Sequence, residues 1–346
     1  MPQLFHVEQF QSSNAVQSAS ETSAQNASRL KLFHVEQFQP PDEELGYRGR
    51  LAPSPTGYLH IGHARTFFAA FERARAAHGT LILRMEDLDP ERSRPIYADS
   101  AIEDLHWLGI DWQEGPDIGG PCAPYVQSLR HDIYSAAWQR LLDAGFIYPC
   151  RCSRKDLAAA LSAPHESTNP DPFDDEPIYP GTCRPGTCRP AACRPLHSAD
   201  SRSSSSSDQE SPAANWRFRV PDGEAIEFSD LNLGPQRFVA GKDFGDFIVM
   251  RREGVASYQL ACVVDDAAMR ITEVVRGADL LKSTARQILL NRALGFADPA
   301  WFHCALVTDA QGRRLAKRSD AASIRILRGR GFSPSEILSG KAISEF

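Results

Sequence analysis

His60, Gly62 and His63 close the run Arg50-Leu51-Ala52-Pro53-Ser54-Pro55-Thr56-Gly57-Tyr58-Leu59-His60-Ile61-Gly62-His63. The run reads as a strand end, a Pro/Gly-rich turn and a helix that opens on His-Ile-Gly-His. Helix N-termini carry unpaired N–H groups and a partial positive charge, so they attract phosphate. Two imidazoles at that place add donors without a permanent cation. Such a nucleotide-triphosphate site differs from a Walker loop and points to adenylation rather than simple hydrolysis.

A second cluster, Gly312-Arg313-Arg314-Leu315-Ala316-Lys317-Arg318, is a Gly-led basic loop ahead of a helix. Taken alone it reads equally as a solvated charge cluster. Taken with His60 and His63 it reads as the other half of a triphosphate site.

Cysteine supplies the third signal. Of eight cysteines, Cys150, Cys152, Cys183, Cys188 and Cys193 fall in one region. The N-terminus has no apolar secretory core, so a cytoplasmic protein is expected, and clustered thiols there suggest metal over disulfides. Cys-x-Cys is a weaker signal than paired Cys-x-x-Cys, and ordinary buried thiols are the alternative. Cys122, Cys262 and Cys304 read as core or surface thiols.

These groups need elements to hold them. His63–His78 carries Phe67, Phe68, Phe71 and Ala74 at helical spacing, with Gly79 as the expected C-cap. Leu81–Glu86 reads as a strand, which makes strand–helix–strand a βαβ unit of a parallel sheet. Helices are expected at Ala98–Leu108, Leu129–Gly145, Thr284–Leu294 and Ser319–Arg328. Strands are expected at Phe247–Met250, Tyr258–Val264 and Ala305–Val307, and order resumes at Trp216–Val220 after a low-complexity segment.

That segment, residues 163–213, repeats Thr-Cys-Arg-Pro at 182–185 and 187–190. Residues 1–45 read as a disordered tail. Within it, Leu4–Gln11 recurs unchanged at Leu32–Gln39. Unchanged copies point to a translated repeat DNA element, which the gene's codons would reveal. The net charge of −6 over 346 residues gives no bulk sign of a nucleic-acid binder, although a local basic groove would suffice. No apolar run reaches membrane-spanning length, so no membrane partner is expected.

Together the His60–His63 and Lys317 motifs resemble the HIGH and KMSKS signatures of class I aminoacyl-tRNA synthetases. The form of Arg50–Gly57, with Arg84-Met-Glu-Asp-Leu-Asp89, Tyr258–Asp266 and Val275-Arg-Gly-Ala-Asp-Leu-Leu281, is similar to the glutamyl branch. The resemblance runs from about Tyr47 to Leu338. With the chain ending at Phe346, no room is expected for a helical anticodon-binding region, and the sequence most resembles the truncated glutamyl-queuosine tRNA(Asp) synthetases.

The resemblance implies an α/β fold: a Rossmann-type parallel sheet with an inserted acceptor and zinc-binding subdomain. It places the two catalytic halves at 46–145 and 236–304, the insertion at 146–235 and the basic-loop segment at 305–346. It implies ATP-dependent activation of L-glutamate without tRNA, then glutamylation of the queuosine base at the wobble position of tRNA(Asp). Rival readings are a minimal synthetase charging tRNA(Glu), and a non-catalytic zinc-bearing RNA-binding module. A monomer is expected.

By the same resemblance His60, His63 and Lys317 are the catalytic candidates, with Gly62 letting the backbone approach ATP. Leu315 and Ala316 depart from the Met and first Ser of the generic signature. Arg50, Leu51, Ala52, Pro53, Ser54, Glu86, Tyr258 and Arg276 are assigned to glutamate: guanidiniums for its carboxylates, Glu86 for its ammonium. Asp265 and Asp266 hold either the fold or the nucleotide. Cys150, Cys152, Tyr179 and Cys183 are the implied ligands of one structural zinc ion, and Mg²⁺ accompanies ATP. The gap from Cys152 to Tyr179 is longer than usual, and Cys188 and Cys193 duplicate Cys183. Arg151, Arg154, Lys155 and Arg184 are either phosphate contacts or a solvated basic face.

Overall fold

A computed structural model describes residues 46–153, 156, 178–186, 214–308 and 323–341. The tail, Arg154, Lys155, Cys188, Cys193, the Lys317 loop and most of the low-complexity segment lie outside the described residues.

Strand β1 (Arg48–Leu51), helix α1 (Ile61–Ala76) and strand β2 (Thr80–Leu83) form the expected βαβ unit, with β1 and β2 parallel in the register Arg50↔Ile82. One face of α1 buries Ile61, Ala64, Phe67, Ala70 and Ala74, the 3–4 spacing of an amphipathic helix. The α1 terminus corrects one expectation. Its C-cap is Ala77, and the left-handed residue that follows is His78 (φ 51°), not Gly79. Gly79 is required for space: a Cβ there would lie 2.4 Å from the Tyr47 carbonyl oxygen.

Helices α2 (Pro95–Trp107) and α3 (His131–Asp143) follow. An antiparallel sheet comes next, in the order β3 (Ile147–Cys150), β4 (Asn215–Phe218), β7 (Phe247–Met250). The hairpin β5 (Ala225–Asp230) and β6 (Gly234–Val239) joins a second sheet through β9 (Ala300–Cys304) to β8 (Glu273–Gly277). Strands β8 and β9 are parallel and are linked by helix α5 (Leu281–Leu294), which ends on left-handed Gly295 as expected. The strand expected at Ala305–Val307 is therefore β9, five residues earlier.

The segment Tyr258–Val264 is not a strand. It is most of helix α4 (Tyr258–Ala268), with Ser257 as N-cap. Every residue from Leu260 to Asp266 is buried. The run Leu260–Val264 is short and wholly apolar, and such a run reads alike as a central strand or a buried turn of helix. Short helices α6 (Ile324–Gly329) and α7 (Pro334–Leu338) complete the order.

Thr272 donates its backbone N–H to the Arg48 carbonyl at 2.9 Å, which brings β8 beside β1. From β1 the chain crosses to β2 on one side, and from β8 it crosses to β9 on the other. In an open α/β sheet a ligand crevice forms where the connections diverge in this way. Leu51, Leu83, Met85, Val275 and the apolar face of α1 pack one core beneath that point.

Candidate active site

A cavity of about 360 Å³ opens where β1 and β8 end. Arg50, Ala52, Pro53, Ser54, His60, Gly62, His63, Glu86, Tyr258 and Arg276 all line it. Leu51 does not: its side chain is fully buried in the core. Residues that line it without having been anticipated include Thr66, Gly277 and Asp279.

His60 is the N-cap of α1. Its Nδ1 accepts the Gly62 N–H at 3.1 Å, and the His63 Nδ1 accepts the His60 N–H at 3.3 Å. The two rings lie 3.8 Å apart, centroid to centroid. Gly62 lines the cavity and also serves the cap. A Cβ there would meet His60 Cε1 at 2.9 Å, so glycine makes room for the capping imidazole.

Behind the cavity lies a chain of buried charges. The guanidinium of Arg84 is fully buried, with Nη1 2.7 Å from Asp266 Oδ1 and Nη2 2.9 Å from Glu86 Oε1. Arg50 approaches Asp266 at 3.5 Å and donates to the Val275 carbonyl at 2.9 Å. Burial acts to raise the Asp266 carboxyl, but Arg84 and Arg50 outweigh it and hold the group below its ordinary value. For Glu86 burial wins and the carboxyl is raised, against the pull of Arg84. Asp265 turns away to Arg130 Nε at 2.7 Å, Gln127 at 2.8 Å and Tyr134 at 2.8 Å. Both aspartates therefore anchor buried partners.

Arg276 differs from Arg50 and Arg84. It is 4% exposed, and among the described residues it has no carboxylate partner. Its guanidinium donates to Thr284 Oγ1 at 2.6 Å, Gln287 Oε1 at 2.8 Å, His303 Nε2 at 3.2 Å and the Tyr258 hydroxyl at 3.5 Å. Neutral dipoles offset the lost hydration of a buried cation only in part, so an anion placed beside Arg276 would be attracted.

The thiols of Cys150, Cys152 and Cys183 lie within 4.8 Å of one another. The Tyr179 hydroxyl is 3.4 Å from the Cys150 sulfur and 3.6 Å from that of Cys152. The Cys152 and Cys183 sulfurs are 3.5 Å apart. Tetrahedral zinc with Zn–S bonds of about 2.3 Å needs sulfurs about 3.8 Å apart, so the donor set fits a metal ion of that kind. Gly245 admits the tyrosine segment: a Cβ there would sit 3.0 Å from the Tyr179 backbone N. Asp246 braces the same unit, accepting from Tyr148 at 2.5 Å, from the Val220 N–H at 2.9 Å and from Arg184 at 3.0 Å. Arg184 also pairs with Asp222, so this candidate phosphate contact is already committed to carboxylates.

The family model for class I tRNA synthetases (E and Q), catalytic domain, matches residues 47–343. The chain belongs to this family. Among curated relatives this synthetase is 49% identical to the "Glutamyl-Q tRNA(Asp) synthetase" of Symbiobacterium thermophilum, over 84% of each chain. It is 47% identical to the protein of that name from Nitratidesulfovibrio vulgaris, over 84% of this chain and 83% of the other. A "Glutamate--tRNA ligase 1" of Halorhodospira halophila is 40% identical over 85% of this chain and 58% of its own. Among solved structures, the glutamate-tRNA synthetase of Elizabethkingia anophelis superposes with a TM-score of 0.66 at 28% identity, over 83% of this chain and 54% of that one. The expected synthetase fold, with its parallel strands, is therefore the fold observed.

Two features of the synthetase had no signal in its sequence. Arg84 lies in a quoted motif, yet nothing local says that it joins Glu86 to Asp266. His303, which touches Arg276, is a lone histidine on β9, just ahead of the strand expected at Ala305–Val307. Among the described residues no helix is long and apolar enough to cross a membrane.

Proposed function

We propose that the chain activates L-glutamate with ATP in the absence of tRNA, then transfers the glutamyl group to the queuosine base at the wobble position of tRNA(Asp). The observation that carries the first step is Arg276: a buried cation without a carboxylate partner among the described residues, in one cavity with the histidine-capped start of α1. A substrate carboxylate completes Arg276, the substrate ammonium meets Glu86, and the triphosphate meets the helix end at His60, Gly62 and His63.

A glutamate carboxylate oxygen attacks the α-phosphorus of ATP, the bond to pyrophosphate breaks, and glutamyl-adenylate forms. Carboxylates are ionised at neutral pH, so the step needs no general base. Positioning and charge stabilisation do the work, as in other displacements at phosphorus. Lys317 offsets charge on the departing pyrophosphate. Mg²⁺ bound with ATP supplies further neutralisation of the phosphates. Cys150, Cys152, Tyr179 and Cys183 hold a structural zinc ion.

The higher identity to the two relatives named for tRNA(Asp) supports that acceptor over tRNA(Glu). Glutamate-dependent ATP–pyrophosphate exchange without tRNA tests the activation step, and its absence would overturn the enzyme reading. Glutamate transfer to tRNA(Asp) with and without queuosine tests the acceptor, and charging of tRNA(Glu) alone would favour the other ligase.

A further inference from the structure

Behind Arg276, on the side away from the cavity, lies a buried pair that the proposed chemistry does not use. His303 on β9 is fully buried, and Asp230 at the end of β5 is 2% exposed. The Asp230 Oδ2 lies 2.6 Å from His303 Nδ1 and also accepts the His303 backbone N–H at 3.1 Å. The other ring nitrogen, Nε2, accepts from Arg276 Nε at 3.2 Å and lies 3.0 Å from Thr284 Oγ1. Thr284 Oγ1 in turn accepts from Arg276 Nη2 at 2.6 Å.

These contacts admit one arrangement of protons. An Arg276 N–H can only donate, so Nε2 must present its lone pair. The ring proton then sits on Nδ1, where the Asp230 carboxylate receives it. Burial and the neighbouring Arg276 charge push the imidazole down to about 4, against the pull of Asp230, so the ring is neutral under ordinary conditions. The charged groups facing it are Asp230 from β5, Arg276 from β8 and, farther off, Arg50 from β1.

We infer that Asp230 and His303 are positioning residues for Arg276: the carboxylate fixes the tautomer of His303, and the Nε2 lone pair fixes the guanidinium plane that receives the substrate carboxylate. The inference rests on the proposed activation of glutamate. Four of the five guanidinium N–H groups are engaged, so the direction offered to a substrate carboxylate follows from the plane, which Thr284, Gln287 and His303 fix from three directions.

The test uses the full chain in glutamate-dependent ATP–pyrophosphate exchange, with three variants. His303→Leu removes the acceptor at similar size. His303→Gln restores an acceptor toward Arg276. Asp230→Asn offers an amide N–H to Nδ1, which forces the ring proton onto Nε2 and points it at Arg276. The expected result is a rise of about tenfold or more in the glutamate KM for His303→Leu and Asp230→Asn, partial recovery in His303→Gln, and an ATP KM within about twofold of wild type. Nitrogen-15 imidazole shifts should report an Nδ1–H ring in the wild type and an Nε2–H ring in Asp230→Asn. A wild-type Nε2–H ring overturns the positioning role, and so do unchanged glutamate KM values in variants of an active enzyme. Loss that falls equally on the ATP and glutamate KM marks a structural role only and also overturns it. Lack of exchange in the wild type overturns the proposed function instead, so the two failures are distinguishable.

Discussion

Arg84 donates to Asp266 across 2.7 Å, and the bond ties the end of β2 to helix α4 directly behind the cavity. Both groups are buried, so each depends on the other for the solvation it has lost. Asp266→Ala leaves Arg84 with Glu86 as its nearest remaining anion. Removing one partner of a buried pair costs about 3–5 kcal/mol. Urea unfolding should show a midpoint lowered accordingly, and a change below about 1 kcal/mol would mean that Glu86 and Asp265 suffice for Arg84.

Lys317 is assigned to charge that appears only as pyrophosphate departs. Lys317→Ala should therefore lower the rate of adenylation by about 10²–10³ while the glutamate KM stays close to wild type. Equal loss in both parameters would contradict the role.

Glu86 carries a pH prediction. Burial raises its carboxyl, so it takes up a proton at a higher pH than an exposed carboxylate does. The anion proposed to meet the substrate ammonium is present above that pKa and is lost as pH falls through it. The glutamate KM should rise on the acid side, and Glu86→Gln should have a high KM with that acid limb flattened. An unchanged acid limb in the variant would assign the titration elsewhere.

Metal content tests the thiol cluster. The wild-type chain should carry about one zinc ion, with Cys150→Ser well below that. Gly245→Val, which replaces no ligand but crowds Ile178 and the Tyr179 backbone, should also lose metal. Full metal in Cys150→Ser would remove Cys150 from the site.

Arg276→Lys keeps the charge but not the fork. A single ammonium cannot serve Thr284, Gln287 and a substrate carboxylate in one plane. Glutamate kcat/KM should fall by about 10²-fold or more, which steady-state exchange kinetics will measure.

Much of the cavity is legible in the sequence because its residues sit in short runs with turn chemistry of their own. The Pro/Gly-rich stretch before His60 announces a strand-to-helix turn, and the 3–4 spacing of Phe67, Phe71 and Ala74 announces the helix behind it. Helix α4 is not legible, since the five apolar residues Leu260–Val264 are too short a run for period to separate helix from strand. The Asp230–His303 pair is hidden for another reason. Its members lie 73 residues apart and meet only because β5 and β9 pair in one sheet. Glycine misleads in a third way: Gly79 marks a close approach to Tyr47, its carbonyl oxygen above all, rather than a left-handed cap.

The self-capped start of α1 has one more consequence. Each imidazole is already held by a backbone N–H on Nδ1, and the two rings lie against one another. Ordering a free side chain at a binding site costs about 0.5–1.5 kcal/mol. Here folding has met that cost before any nucleotide arrives. On the proposed function the histidines would meet a triphosphate as fixed furniture of the helix, without the entropy loss that an unordered pair would suffer on binding.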